Sequence, residues 1–86
     1  MAFSRTQLND NHTKFYILDG QYEAARIDVE FKDKKCLLNY AFVDPKYRGQ
    51  GLGEKIVTEA LDILKSKMIE PIAVCGYVKK IMSYKK

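Results

Sequence analysis

Hydrophobic positions along this chain switch between two periods. Over "TKFYILDG" (13–20) and "QYEAARIDVEF" (21–31) they fall at strand spacing. In the second stretch Ala25, Ile27, Val29 and Phe31 alternate with Ala24, Arg26, Asp28 and Glu30. Period two with one polar face predicts a half-buried strand, and Asp19-Gly20 between the stretches predicts a hairpin. After a turn at "KDKK", the run "CLLNYAFV" (36–43) is almost continuously apolar, which predicts a strand covered on both faces. From Leu52 the spacing becomes helical: Leu52, Ile56, Val57, Ala60, Leu61 and Leu64 make one stripe, with Glu54, Lys55, Glu59, Asp62 and Lys65 opposite. This helix should stop near Lys67. "IEPIAVC" (69–75) predicts a short buried strand with Pro71 near its start. "GYVKKIMSYK" (76–85) predicts a short last helix through Tyr77, Val78, Ile81 and Met82.

The order β-β-β-α-β-α predicts a mixed α+β fold with a sheet of about four strands. The first three form an antiparallel meander, and the strand-helix-strand crossover makes the third and fourth parallel neighbours. Residues 1–11 are polar and expected to be loose. A chain of 86 residues, 47% hydrophobic and 30% charged, reads as one small globular domain over 1–86 rather than a disordered segment. No apolar run approaches a membrane span, and "MAFSRTQLND" lacks the apolar stretch of a signal peptide. The only cysteines, Cys36 and Cys75, read as free thiols in a reducing compartment, so the expected location is cytoplasmic. No metal site is expected. Up to Val43 six basic residues meet six acidic ones; from Asp44 nine meet five, so the net +4 lies wholly in the second half. That half suits an anionic partner.

In the same half stands "VDPKYRGQGLGEKI" (43–56). Gly49, Gly51 and Gly53 fall between an apolar strand and a helix start. The first N–H groups of a helix have no internal partner and carry the positive end of its dipole. Glycines there let an anion lie against the main chain. Arg48 and Lys46 crowd this end, as does Lys55, a cation in the first turn where the dipole disfavours it. A glycine turn needed only for packing is the alternative. A Walker loop requires Gly-Lys-Ser/Thr, which Gly53-Glu54-Lys55 does not supply, and G-x-G-x-x-G fails because the glycines are spaced G-x-G-x-G.

Arg48, Gly51 and Gly53 do fit R-x-x-G-x-G. Preceded by "VDPKY" and followed by an amphipathic helix, this resembles the acetyl-coenzyme A signature of the GNAT acetyltransferase superfamily. The short length, three-strand start and "CGYV" look like its small single-domain, YjdJ-type N-acetyltransferase-like members. The resemblance implies a GNAT-like fold whose third and fourth strands splay apart for the cofactor. It also implies acetyl-CoA as cofactor. The diphosphate would rest on the N–H groups of Arg48, Gly49, Gly51, Leu52 and Gly53, with Lys55 beside them. The pantetheine would pair with the main chain of Ala41, Phe42 and Val43, and an N–H at Phe42 or Val43 could polarise the acetyl carbonyl. Sites beyond the carboxyl ends of parallel strands fit the same location.

For catalysis, Cys75 precedes a helix N-terminus, which lowers a thiol's pKa. Small members of the family carry a cysteine here, implying a reactive thiol beside the acetyl group, whereas a small buried hydrophobe is the other reading. Cys36 reads as structural. Tyr77, or Tyr84, could protonate the leaving thiolate as a tyrosine does in larger relatives, although Tyr77 also falls at core spacing. Small members typically have His-Thr before the valine ending the third strand. Here Tyr40 stands in the histidine's place, His12 lies in the polar N-terminal segment, and Glu70 and Asp44 are left as candidate bases. The reading is an acetyltransferase acting on an amine of a peptide, protein or small molecule, the alternative being a CoA or acetyl-CoA binder with little transfer. Relative to larger members the chain lacks N-terminal helices, so residues 1–12 or a second subunit must wall the acceptor, as monomer or homodimer. Nucleic-acid binding is disfavoured, since "CLLNYAFV" is not a glycine-rich aromatic strand of the RNA-binding type.

Overall fold

A computed structural model describes residues 2–84. The elements are β1 (Gln7–Leu8), β2 (Lys14–Asp19), β3 (Tyr22–Lys32), β4 (Lys35–Val43), a 3-10 turn (Pro45–Tyr47), α1 (Leu52–Ser66), β5 (Glu70–Ala73) and α2 (Gly76–Tyr84). They build one sheet in the order β1-β2-β3-β4-β5, antiparallel except for the parallel β4–β5 pair. The mixed sheet with two helices is the expected fold, with five strands rather than four. Lys85, the end of the stretch predicted as the last helix, lies outside the described residues.

The fifth strand comes from the segment expected to be loose. Gln7 pairs with Tyr16 and Leu8 with Phe15, and Phe3 bridges to Asp19. Glu59 on α1 tethers this segment, its Oε1 accepting the backbone N–H and the hydroxyl of Thr6, each at 2.8 Å. Thr6 is buried, so those groups need a partner.

Both helices lie on one face of the sheet. Phe15 and Ile17 of β2, Ile27 and Val29 of β3, and Cys36 and Leu38 of β4 meet Leu52, Ile56, Val57, Ala60 and Leu64 of α1 and Val78 and Ile81 of α2 in one core. Each fully buried aliphatic side chain contributes about 1.5–3 kcal/mol. The predicted helical stripe is the buried one, except that Leu61 packs at its margin.

Two burial expectations are corrected. The apolar run of β4 is covered on one face only: Cys36 and Leu38 are buried, Leu37 and Phe42 are half-buried, and Tyr40 is 50% exposed. Among the described residues no helix covers the second face, and an apolar run by itself does not report how many faces are covered. The strand expected to be buried, β5, is instead an edge strand. Its Glu70 N–H donates to Lys34, and the Val74 N–H beyond it to Leu38. Alternation then turns Ile72 toward β4, and Pro71 outward.

α1 ends on a left-handed residue. Met68 has φ 59°, and around it Met68 N–H donates to Lys65 and Ile69 N–H to Leu64, at 3.1 and 2.9 Å. This pair of bonds is a Schellman cap built on methionine where glycine is usual.

Candidate functional site

β5 accompanies β4 only from Lys35↔Glu70 to Leu38↔Ala73. Pairing on the other side passes from Val29↔Leu38 to Asp28↔Tyr40, which leaves Asn39 as a bulge. A bulge bends its strand and raises the twist, and here β4 parts from β5. The Leu38 carbonyl takes both the Val74 and Cys75 N–H groups, at 3.1 and 3.2 Å, as the chain turns into α2. Residues 39–43 continue with β3 as their only partner strand. Asp44 N–H donates to Ala24 on β3 at 3.0 Å. By alternation Phe42 N–H also faces β3, whereas those of Ala41 and Val43 face the gap. Of the two N–H groups expected to meet a carbonyl, only Val43's is so directed.

The loop after β4 is built by side chains that grip it from below. Asp44 Oδ1 accepts the Lys46 N–H at 2.9 Å and Pro45 sits at the first helical position, which starts the 3-10 turn. Tyr47 is buried, and its hydroxyl donates to Asp19 Oδ2 at 2.8 Å. That hydrogen bond to a carboxylate, reinforced by desolvation, raises the phenol above its usual 10.0. The Phe3 ring meets Tyr47 edge-on at 5.8 Å. Arg48 Nε donates back to the Val43 carbonyl at 3.1 Å, and both Arg48 and Arg26 carry their guanidinium groups over Phe42, at 5.9 and 4.8 Å.

Gly49 and Gly51 follow with φ 83° and 75°, and Gly51 is the N-cap of α1 without a side chain to cap it. Among the described residues no protein acceptor meets the N–H groups of Gly49, Gly51, Leu52 or Gly53. These donors and the helix dipole converge on one place. Gly53 is needed for a different reason. A Cβ there would stand 2.1 Å from the Tyr77 hydroxyl oxygen, so the phenol of α2 rests on the bare Cα.

Gap and loop together form one cleft of about 360 Å³. Ala41, Phe42, Val43, Arg48, Gly49, Gly51, Leu52 and Gly53 all line it, as does Tyr77. Tyr47 and Ile56 line it too, and the sequence reading missed them because both look like ordinary core. Lys55 does not line it. Its ammonium bonds to Glu59 at 3.0 Å and to the Ser4 carbonyl at 3.2 Å, so its charge in the first turn is answered by the next turn of the same helix. A Lys-x-x-x-Glu spacing was the signal for that.

Cys75 is not part of the cleft lining but stands behind Ala41. Its carbonyl accepts the Lys79 N–H at 3.0 Å, which makes it the N-cap of α2. Desolvation pushes its thiol up, but the N–H groups of Val78, Ala41 and Tyr77 outweigh this and bring it below the ordinary 9.0. Cys36 is buried and pushed up to about 11 by desolvation. The other candidates lie elsewhere: His12 against Phe31 at the far end of the sheet, Asp44 occupied as a cap, Glu70 at the start of β5, and Tyr84 at the end of α2.

Residues 14–86 match the family profile described as GCN5-related N-acetyl-transferase. The chain belongs to this family. Its fold resembles the ribosomal-protein-S18-alanine N-acetyltransferase of Escherichia coli (TM-score 0.60, 23% identity), covering 76% of this chain and 38% of the enzyme. It also resembles a GCN5-like N-acetyltransferase candidate from Staphylococcus aureus (TM-score 0.68, 24% identity), with 95% of this chain on 82% of that one. An integron cassette protein from the Cole Harbour salt marsh metagenome gives a TM-score of 0.60 at 17% identity, over 80% of this chain and 50% of that one. Thus the chain spans well under half of the E. coli enzyme. No curated protein sequence matches it. Among the described residues no helix is long and apolar enough to cross a membrane.

Proposed function

We propose that this chain binds acetyl-CoA in the cleft at the end of β4 and passes the acetyl group to an amine. The observation that carries the reading is a continuity. The edge of β4 that no strand accompanies, where Val43 N–H faces the gap and Ala41 N–H is turned to the Cys75 thiol, runs directly into the acceptor-free N–H groups of Gly51, Leu52 and Gly53. The first suits the amides of a pantetheine arm, paired as an added strand would be. The second suits a diphosphate, with Arg48 adding charge and Gly49 and Gly51 leaving room. When bound, the cofactor supplies an acetyl group activated as a thioester. Val43 N–H is the donor free to polarise its carbonyl, and Leu52 and Ile56 exclude water on the helix side. Of the two cleft tyrosines, Tyr47 has its hydroxyl on Asp19 and Tyr77 rests on Gly53, and Cys75 is a thiol with a depressed pKa just behind the lining.

One observation favours the alternative, a CoA or acetyl-CoA binder with little transfer: the cleft lining contains no carboxylate and no imidazole to take the amine's proton. Thermal unfolding with and without ligand tests the shared part. At a hundred times its dissociation constant, acetyl-CoA or CoA should stabilise by ~2.7 kcal/mol, and Gly51→Val should lose that shift. No shift with either ligand overturns both readings. Given binding, CoA thiol release with an amine panel separates transferase from binder.

A further inference from the structure

The glycine turn that carries the acceptor-free donors is loose by composition, since Gly49 and Gly51 have no side chains to restrict them. Yet it is fastened on both sides to one place, the end of β2 and the segment that pairs with it. Before the turn, buried Tyr47 donates its hydroxyl to Asp19 Oδ2 at 2.8 Å. Phe3, which bridges to Asp19, sets its ring edge-on against Tyr47 at 5.8 Å. After the turn, Lys55 in the first turn of α1 donates its ammonium to the Ser4 carbonyl at 3.2 Å. Ser4 is itself locked to β2: its N–H donates to the Leu18 carbonyl and its Oγ accepts the Leu18 N–H, each at 2.8 Å. Tyr47 lines the cleft, whereas Phe3, Ser4 and Asp19 stand outside it.

We infer that Asp19, together with Phe3 and Ser4, positions the N–H groups that receive the diphosphate, without touching the cofactor. The inference rests on the proposed acetyl-CoA site. Donors that converge before the ligand arrives avoid the ordering cost that a loose loop would impose on binding. Tyr47 stands one residue before Arg48 and two before Gly49, so a shift of its ring passes directly to the first of the donors. Its hydroxyl is committed to a carboxylate in a buried setting, where such a bond is strong. Asp19 lies on the β2–β3 hairpin, 28 positions before Tyr47, and ties the turn to a rigid part of the sheet. Lys55, expected from the sequence to meet phosphate, fixes the other end of the turn instead. By charge alone, an anion beneath the donors opposes a diphosphate. Charge and positioning therefore predict opposite outcomes when Asp19 is removed.

Isothermal titration of the full chain with acetyl-CoA, well below its unfolding temperature, provides the test. Tyr47→Phe and Asp19→Ala should each weaken binding about tenfold, the order expected for losing a charge-assisted hydrogen bond. Asp19→Asn keeps an oxygen that accepts the phenol hydrogen, and should stay within about threefold of the unmodified protein. Both losses act through one bond, so Tyr47→Phe combined with Asp19→Ala should bind no more weakly than the weaker single variant. Leu64→Val, in the core at the far end of α1, should lower Tm but leave Kd unchanged. Unchanged or tighter binding in Asp19→Ala, or equal weakening in Asp19→Asn or in Leu64→Val, overturns this inference and leaves the cofactor site standing. Additive losses in the combined variant also overturn it. No binding by the unmodified protein overturns both.

Discussion

The hydroxyl of Tyr77 occupies the place that a side chain on Gly53 would need. The contact joins the first turn of α1 to the first turn of α2 across the cleft, so one aromatic ring sets how closely the two helix starts approach.

Gly53→Ala should therefore have an effect whose sign depends on Tyr77. In the unmodified background the methyl group displaces the ring, and both thermal stability and the shift produced by acetyl-CoA should fall. With Tyr77→Ala in place, the same change should stabilise by about 0.5–1 kcal/mol, the ordinary helical advantage of alanine over glycine. A double-mutant cycle from urea unfolding measures the coupling. Additive effects would show that the ring adjusts freely.

Glu59 predicts an acid-sensitive tether. Desolvation raises its carboxyl, but the Thr6 N–H, the Lys55 ammonium and the Thr6 hydroxyl outweigh that and hold it below 4.5. A depressed folded-state pKa adds stability that is present above the unfolded value and lost as pH falls through the folded one. Stability should thus drop below about pH 4.5 more steeply in the unmodified protein than in Glu59→Gln. Equal slopes in pH-dependent unfolding count against the tether.

Cys75 and Cys36 should separate under alkylation. Val78, Ala41 and Tyr77 stabilise the Cys75 thiolate, so its iodoacetamide rate should show a midpoint below 9.0, while Cys36 should react only on unfolding. Mass spectrometry after mixing with acetyl-CoA then distinguishes a covalent role from a capping one. An acetyl adduct lost in Cys75→Ala supports the first, and its absence leaves the thiol as the cap of α2.

Met68→Gly should raise stability. The methionine is 86% exposed and held at φ 59° in the cap of α1, a conformation that costs an L-residue roughly 1–2 kcal/mol. Part of this is offset by glycine's freedom in the unfolded chain, so a gain of about 1 kcal/mol, a few degrees in Tm, is expected.

The sequence showed the periods, and hence the strands and α-helices from β2 onward, though not the 3-10 turn at Pro45–Tyr47, because one-sided burial leaves a regular trace in residue order. The glycine loop was legible because φ above zero and a close approach both select against side chains. What escaped depended on partners distant along the chain. Lys55 looked like a phosphate ligand until Ser4 and Glu59 were found at its ammonium. β1 exists because Thr6 meets Glu59, fifty-three positions away. The bulge at Asn39 that opens the cleft is a mismatch between two strands, and neither strand announces it alone.

Pro71 turns its nitrogen away from β4, on the side where a foreign strand would have to dock. With no hydrogen to donate there, and a strand only four residues long, the border refuses further strands. A molecule that displays a half-apolar sheet to solvent can thus stay in solution without stacking border to border into fibres, and a valine at this position should bring on concentration-dependent light scattering.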